Sequence, residues 1–275
     1  MHDLKTLAER YETREFLDGD PSWFMHQVEG EANKELLAFI ASSLSYGSRK
    51  QFIPKIQYIL DCSQGEVEHW LLSGRYKGDI PDNEECYYRL YTNRIMREFL
   101  DSLTDMLLQY GSLKNYVKEE LAAISQPPSQ QALDAIKAIV WWFRKVKKSS
   151  PAGFLSPDNG RTEGGKKSSP LGGVRGGCIP QSTTSSCKRL CMFLRWMVRD
   201  GSPVDLGLWA DIIDRRTLIM PLDTHVIQEA SRLGLLETKT ASMSTALKLT
   251  EKLRMTFPDD PLKGDFALFG VGVDK

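Results

Sequence analysis

The stretch Ser185-Ser186-Cys187-Lys188-Arg189-Leu190-Cys191-Met192-Phe193-Leu194-Arg195-Trp196-Met197-Val198-Arg199 decides how this chain is read. Leu190, Phe193, Leu194, Met197 and Val198 recur at steps of three and four, the period of an amphipathic helix. Ser186 is placed to cap that helix, which puts Lys188 in its first turn. A second stretch, Pro221-Leu222-Asp223-Thr224-His225-Val226, sets an aspartate just before another helical run over 224–233, closed by Gly234. A lysine amine and a carboxylate at two helix N-termini can act as a nucleophile and its charge-stabilising partner.

Outward from these two segments the periodicity stays helical. Residues 32–44 carry Leu36, Leu37, Phe39, Ile40 and Leu44 near the 3.6 period, and Gly47 ends the run. Further helices are predicted over 50–60, 65–72, 83–108, 116–124 and 129–147. A short one follows near 206–213, and a long one, capped by Thr240 or Ser244, runs to about residue 256. No sustained apolar–polar alternation occurs, so no sheet is expected and the fold class is all-α. Residues 149–183 differ in kind. Their Ser, Gly, Pro, Lys and Arg content offers too little apolar surface to offset the entropy of ordering, and they read as a mobile loop. The chain is read as a single helical domain over 1–275.

Composition sets the outer bounds. An apolar content of 41% suits a soluble protein with a real core. The balance of 36 basic and 36 acidic residues excludes a binder driven by bulk charge. The charge is nevertheless uneven, with thirteen Lys or Arg against two Asp or Glu over 137–199. That excess predicts a phosphate-tracking surface, carried on the ordered helix by Arg189, Arg195 and Arg199. Five cysteines without regular spacing form no disulfide framework. Cys178, Cys187 and Cys191 match none of the usual zinc spacings, so neither metal nor cofactor is expected. No cationic-then-apolar leader and no apolar run of about 18 residues is present, giving a cytoplasmic monomer without membrane contact as the expectation.

Lysine can attack the anomeric carbon of a deoxyribose only as the neutral amine. A helix N-terminus and a neighbouring Arg189 both favour that form. The departing base leaves positive charge on the sugar, which the Asp223 carboxylate can stabilise. His225 is read as a packing residue. The aromatic runs Trp141-Trp142-Phe143-Arg144 and Tyr87-Tyr88-Arg89-Leu90-Tyr91 are read as core rather than as base-stacking platforms.

These residues resemble the helix-hairpin-helix DNA glycosylase superfamily, in which an aspartate follows in a Val-Asp-Thr-His-Val-like segment, here Leu222 to Val226. Lys188, with Phe193-Leu194-Arg195 following, is similar to the lysine helix of the archaeal 8-oxoguanine glycosylase/lyase branch. The helix from Leu36 to Leu44 with its following turn, and the terminal Asp265-Phe266-Ala267-Leu268-Phe269-Gly270, resemble the superfamily's early and closing helices. More narrowly, Cys187 to Arg199 together with Pro221 to Ile227 resembles the signature of the domain of unknown function 2400 family. The resemblance implies a two-lobed helical fold with Lys188 and Asp223 facing the cleft. It implies excision of a damaged base from DNA, with incision at the abasic site. Arg189, Arg195, Ser185, Ser186 and the neighbouring hydroxyls would hold phosphates, and Tyr46 and Arg49 would reach into the duplex. RNA stays open as a target, and a non-catalytic nucleic-acid-binding module on the same fold is the alternative. The sequence departs from the superfamily in two places. No Gly-x-Gly turn precedes Lys188, and the Lys188–Asp223 interval exceeds the usual twenty or so residues.

Overall fold

The computed structural model describes residues 3–124, 128–149 and 178–273. The helices in chain order are α1 (Leu4–Tyr11), α2 (Glu31–Leu44), α3 (Arg49–Ser63), α4 (Val67–Leu72) and α5 (Tyr76–Asp79). After a hairpin of β1 (Cys86–Tyr88) and β2 (Tyr91–Thr92) come α6 (Asn93–Tyr110), α7 (Leu113–Ala123) and α8 (Gln131–Ser149). The series ends with α9 (Lys188–Val198), α10 (Thr224–Arg232), α11 (Met243–Arg254) and α12 (Lys263–Val273). The all-α reading holds in its coarse form, since the hairpin is the one sheet among the described residues.

Local chemistry sets most boundaries. Thr92, Ser112 and Ser242 each accept a backbone N–H three residues on and so start α6, α7 and α11. Gly111 ends α6 in the left-handed region at φ 77°, where a side chain would be strained. Two expected helices are corrected. Residues 83–92 do not begin a helix, because Cys86-Tyr87-Tyr88 and Tyr91-Thr92 are strong strand formers and pair antiparallel, Cys86 with Thr92 and Tyr88 with Tyr91. Residues 206–213 form successive turns rather than a helix, tied to α9 through Trp196 O and Met197 O. Of the expected mobile loop, 150–177 lie outside the described residues. Cys178, Ile179 and Pro180 are buried, so that end of the segment belongs to the core.

One helix organises the core. Residues 35–44 of α2 are all buried, with Glu35, Ser42 and Ser43 the polar residues among them. Phe39 stacks on Phe99 of α6 and Phe143 of α8 and meets Phe193 of α9 edge-on at 5.1 Å. That contact seats α9, and with it Lys188, against α2. A single apolar cluster then runs from Phe24 to Leu268. At its margin α1 lies on α12, and the ring of Tyr11 fills the space that a side chain at Gly270 would take.

Candidate active site

Lys188 is the first residue of α9 and Asp223 caps α10. The two meet across a separation of 35 residues, with Lys188 Nζ 2.6 Å from Asp223 Oδ2. The other carboxylate oxygen, Oδ1, accepts the Val226 N–H at 2.9 Å, so Asp223 is both cap and counter-ion. Burial resists ionisation of Asp223. The Lys188 charge and hydrogen bond, the Val226 N–H and the nearby His225 outweigh it and hold the carboxyl below the usual range. The side chains are 38% and 30% exposed, so both reach solvent.

The long 200–220 connection does not separate the pair. It folds over α9, with Leu206 N donating to Trp196 O and Trp209 N to Met197 O, and returns the chain at Leu222 beside Ser186. Ser186 is not the cap expected of it. Its buried hydroxyl donates to Leu222 O at 3.1 Å and ties the Lys188 turn to the Asp223 turn. Its neighbour Cys187 takes the N-cap position in the left-handed region, φ 46° and ψ 36°, a geometry that usually calls for glycine. Cys187 Sγ lies 3.6 Å from Ser185 Oγ and from Ser182 O, inside the turn it closes. Ser185, partly exposed, also pairs with Ser242 in an isolated bridge.

The expected phosphate ligands divide. Arg189 is partly buried and donates from Nη1 to Ser43 O at 2.6 Å and to Tyr91 Oη at 2.7 Å. Tyr46, beside it, packs under Arg89 at 4.9 Å and near Arg189 at 6.0 Å from its ring centre. Arg49 is exposed and pairs with Asp20 at 3.3 Å at the edge of a cleft of about 480 Å³ lined also by Tyr11, Phe16, Asp18 and Phe269. Arg195 and Arg199, by contrast, are turned inward and cannot meet a phosphate. Arg195 pairs with Asp205 and Asp265. Arg199 binds Asp205, Glu12 at 2.7 Å and Asp260 through both Nε and Nη2. Both guanidiniums also cover the ring of Phe266. A helical stripe of Lys188, Arg195 and Arg199, spaced by seven and four, therefore faces a row of carboxylates, with the two arginines shut off from solvent and Lys188 open to it at the head. Arginine in a helix reads alike whether it faces water or a buried acid, so the error follows from the distant partners.

Two buried acids were not legible in the sequence, Asp265 near the pair and Glu35 in the core away from it. Asp265 is pushed up by burial, pulled down by Arg195, and also feels the charges of Asp223 and Lys188. It therefore joins the exposed pair to the buried network. Glu35, inside α2, accepts the N–H groups of Leu113 and Lys114 at 3.0 and 3.1 Å and Trp209 Nε1–H at 2.7 Å. Burial raises its carboxyl, against those three hydrogen bonds. Of the aromatic runs, Tyr87, Tyr88, Tyr91 and Trp142 are core residues, whereas Trp141 is exposed. Among the described residues no group of three or more His, Cys, Asp or Glu is arranged to hold a metal, and no helix is long and apolar enough to cross a membrane.

Fold and site together define an all-α protein with a lysine–aspartate pair between two helix N-termini. The chain belongs to the family described as Protein of unknown function (DUF2400), whose model matches residues 20–274. No curated protein and no solved structure matches it.

Proposed function

We propose that this protein is a DNA base-excision enzyme of helix-hairpin-helix glycosylase type, with lyase activity at the abasic site. The observation that supports it best is the approach of Lys188 Nζ to Asp223 Oδ2, 2.6 Å, in a position open to solvent. A structural ion pair between core helices tends to be buried, as the Arg199 pairs are. This one is held by caps and by Ser186 at a surface with Tyr46 and Arg189 nearby. As the glycosidic bond lengthens, positive charge on the deoxyribose competes for the Asp223 carboxylate, and a proton passes from Lys188 by way of Asp223 to the departing base. The Lys188 nitrogen then bonds C1′ as the bond from C1′ to the base breaks. The base leaves with the bonding electrons and takes up a proton. The nitrogen on C1′ gives a proton to O4′ as the ring opens to the Schiff base, and removal of a C2′ proton to solvent then lets the 3′-phosphate leave with the C3′–O electrons, which cuts the strand.

Borohydride reduction of that imine is the test. Wild type is expected to give a covalent adduct with abasic or damaged DNA, and Lys188→Gln none. No wild-type adduct on DNA, or equal trapping by Lys188→Gln, rejects the lyase. Salt-dependent binding without turnover is the outcome that favours the second reading, a nucleic-acid-binding module without catalysis. The same assay on abasic RNA separates the two nucleic acids.

A further inference from the structure

Over residues 137–199 the sequence sets thirteen Lys or Arg against two Asp or Glu. Part of that excess turns inward, where Arg195 and Arg199 meet buried acids. On α8 it stays outside. The inner face of α8 is fixed by Ile136 and Ile139 in the core and by Phe143, stacked on Phe39 and Phe99. Trp142 lies on the same side, its Nε1–H donating to Ser102 O at 3.0 Å. That register sends the adjacent ring, Trp141, outward, where it is 51% exposed. Lys137, Trp141, Arg144 and Lys145 are all exposed. They stand at i, i+4, i+7 and i+8, one face of the helix about 12 Å long. Lys145 Nζ lies over the Trp141 ring, 4.9 Å from its centre. Lys137 is held at 2.8 Å by Asp134, the single acid of α8, whose carboxylate is buried.

We infer that this face of α8 is a nucleic-acid site apart from the Lys188–Asp223 pair, which takes a single-stranded polynucleotide with one base stacked on Trp141 and the flanking phosphates on Arg144 and Lys145. It does not depend on the chemistry at Lys188. Charge complementarity chooses a polyanion, since the face presents cations and the helix exposes no carboxylate against them. The ring chooses a single strand. An indole can stack only on a base whose face is free, and within a duplex both faces of an interior base are covered by its neighbours. A cation lodged over that indole and a second one beside it are the parts of a stacking platform that tracks a phosphate backbone. A lipid surface fits less well. A helix that lies in a bilayer interface inserts an apolar stripe, whereas the apolar stripe of α8 is already in the core and its outer face offers one ring among cations.

The probes are fluorescently labelled oligothymidylate and oligouridylate, read by anisotropy at low salt. Wild type is expected to bind, and the oligomer held more tightly names the sugar. Trp141→Ala, with unchanged far-UV circular dichroism and urea midpoint, is expected to lose about tenfold in affinity, the worth of one stacked base. Trp141→Phe keeps an aromatic face and should retain most of the binding. Arg144→Gln should lower the slope of log affinity against log salt by about 0.7, one phosphate on a single strand. Failure of wild type to bind either oligomer, or binding that Trp141→Ala leaves unchanged, overturns the proposal. So does a loss with Trp141→Ala that is seen on phosphatidylserine vesicles and not on the oligomers. Oligomer binding that depends on Trp141, in a wild type that gives no borohydride adduct, sustains the α8 site and rejects the lyase. An adduct at Lys188 without binding that depends on Trp141 does the reverse.

Discussion

Lys188 and Asp223 invite a prediction in which stability and activity part company. The pair is 38% and 30% exposed, so as a surface ion pair it is worth about 0.5 kcal/mol. Asp223 adds a helix cap through its Val226 hydrogen bond, about 1 kcal/mol more. Lys188→Gln should then cost about 0.5 kcal/mol, and Asp223→Asn, which keeps an accepting cap, a similar amount. Asp223→Ala should cost about 1.5 kcal/mol, or roughly 3–6 °C of melting temperature in a chain of this size. Urea unfolding measures all three. The pH dependence has a definite sign. The Asp223 carboxyl is held below its ordinary value, so its ionic contribution is complete above about pH 4, the unfolded value, and is lost as pH falls through the folded one. Wild type and Asp223→Asn should converge in acid. Adduct formation, by contrast, should vanish with Lys188→Gln. A loss of more than about 2 kcal/mol from Lys188→Gln would refute the reasoning, because the pair would then be a structural tie.

The buried charges predict larger effects. Arg199→Leu leaves Asp205, Asp260 and Glu12 facing one another without their shared cation, and should cost about 3–5 kcal/mol in urea unfolding. Glu35→Ala strips acceptors from three donors, two of them opening α7, and should cost about 3 kcal/mol or more. Since burial raises the Glu35 carboxyl, its share of stability is greatest below the ordinary carboxylate range and declines as pH rises through the folded value. Glu35→Ala should therefore narrow its deficit toward neutral pH. Gly270→Ala puts a methyl group into the Tyr11 ring and should cost about 1–3 kcal/mol, with early loss of α1 protection in hydrogen exchange.

What could be read from the sequence follows from the range of each interaction. The helices α2, α9, α10 and α11 were legible because apolar periodicity and capping are local. Even there the cap of α11 is Ser242, between the two residues expected, because Thr245 N–H fixes it. The hairpin was hidden inside a helical reading of 83–108, since two short aromatic strands give too few residues to set a period. The Lys188–Asp223 pair was proposed from two segments and lies in contact, 2.6 Å between Nζ and Oδ2. Arg195 and Arg199 were misplaced because nothing within their own helix names Asp205, Asp260, Asp265 or Glu12. The same distance concealed Glu35, whose partners lie 78, 79 and 174 residues along the chain.

The arginine network also bears on how the protein is made. Arg199 on α9 is paired with Glu12, 187 residues earlier, and with Asp260, 61 residues later, while Arg195 awaits Asp265, 70 residues on. During synthesis from the N-terminus, Glu12 and Asp205 are at hand once α9 has emerged, whereas Asp260, Asp265 and the α12 surface come later. Such long-range closure is slow, and until residues 260–265 arrive the arginines have only part of their acids, with water in place of the rest. The ion-pair network that encloses α9, with Lys188 at its head, can therefore be completed only when the ribosome has delivered residues 260–265.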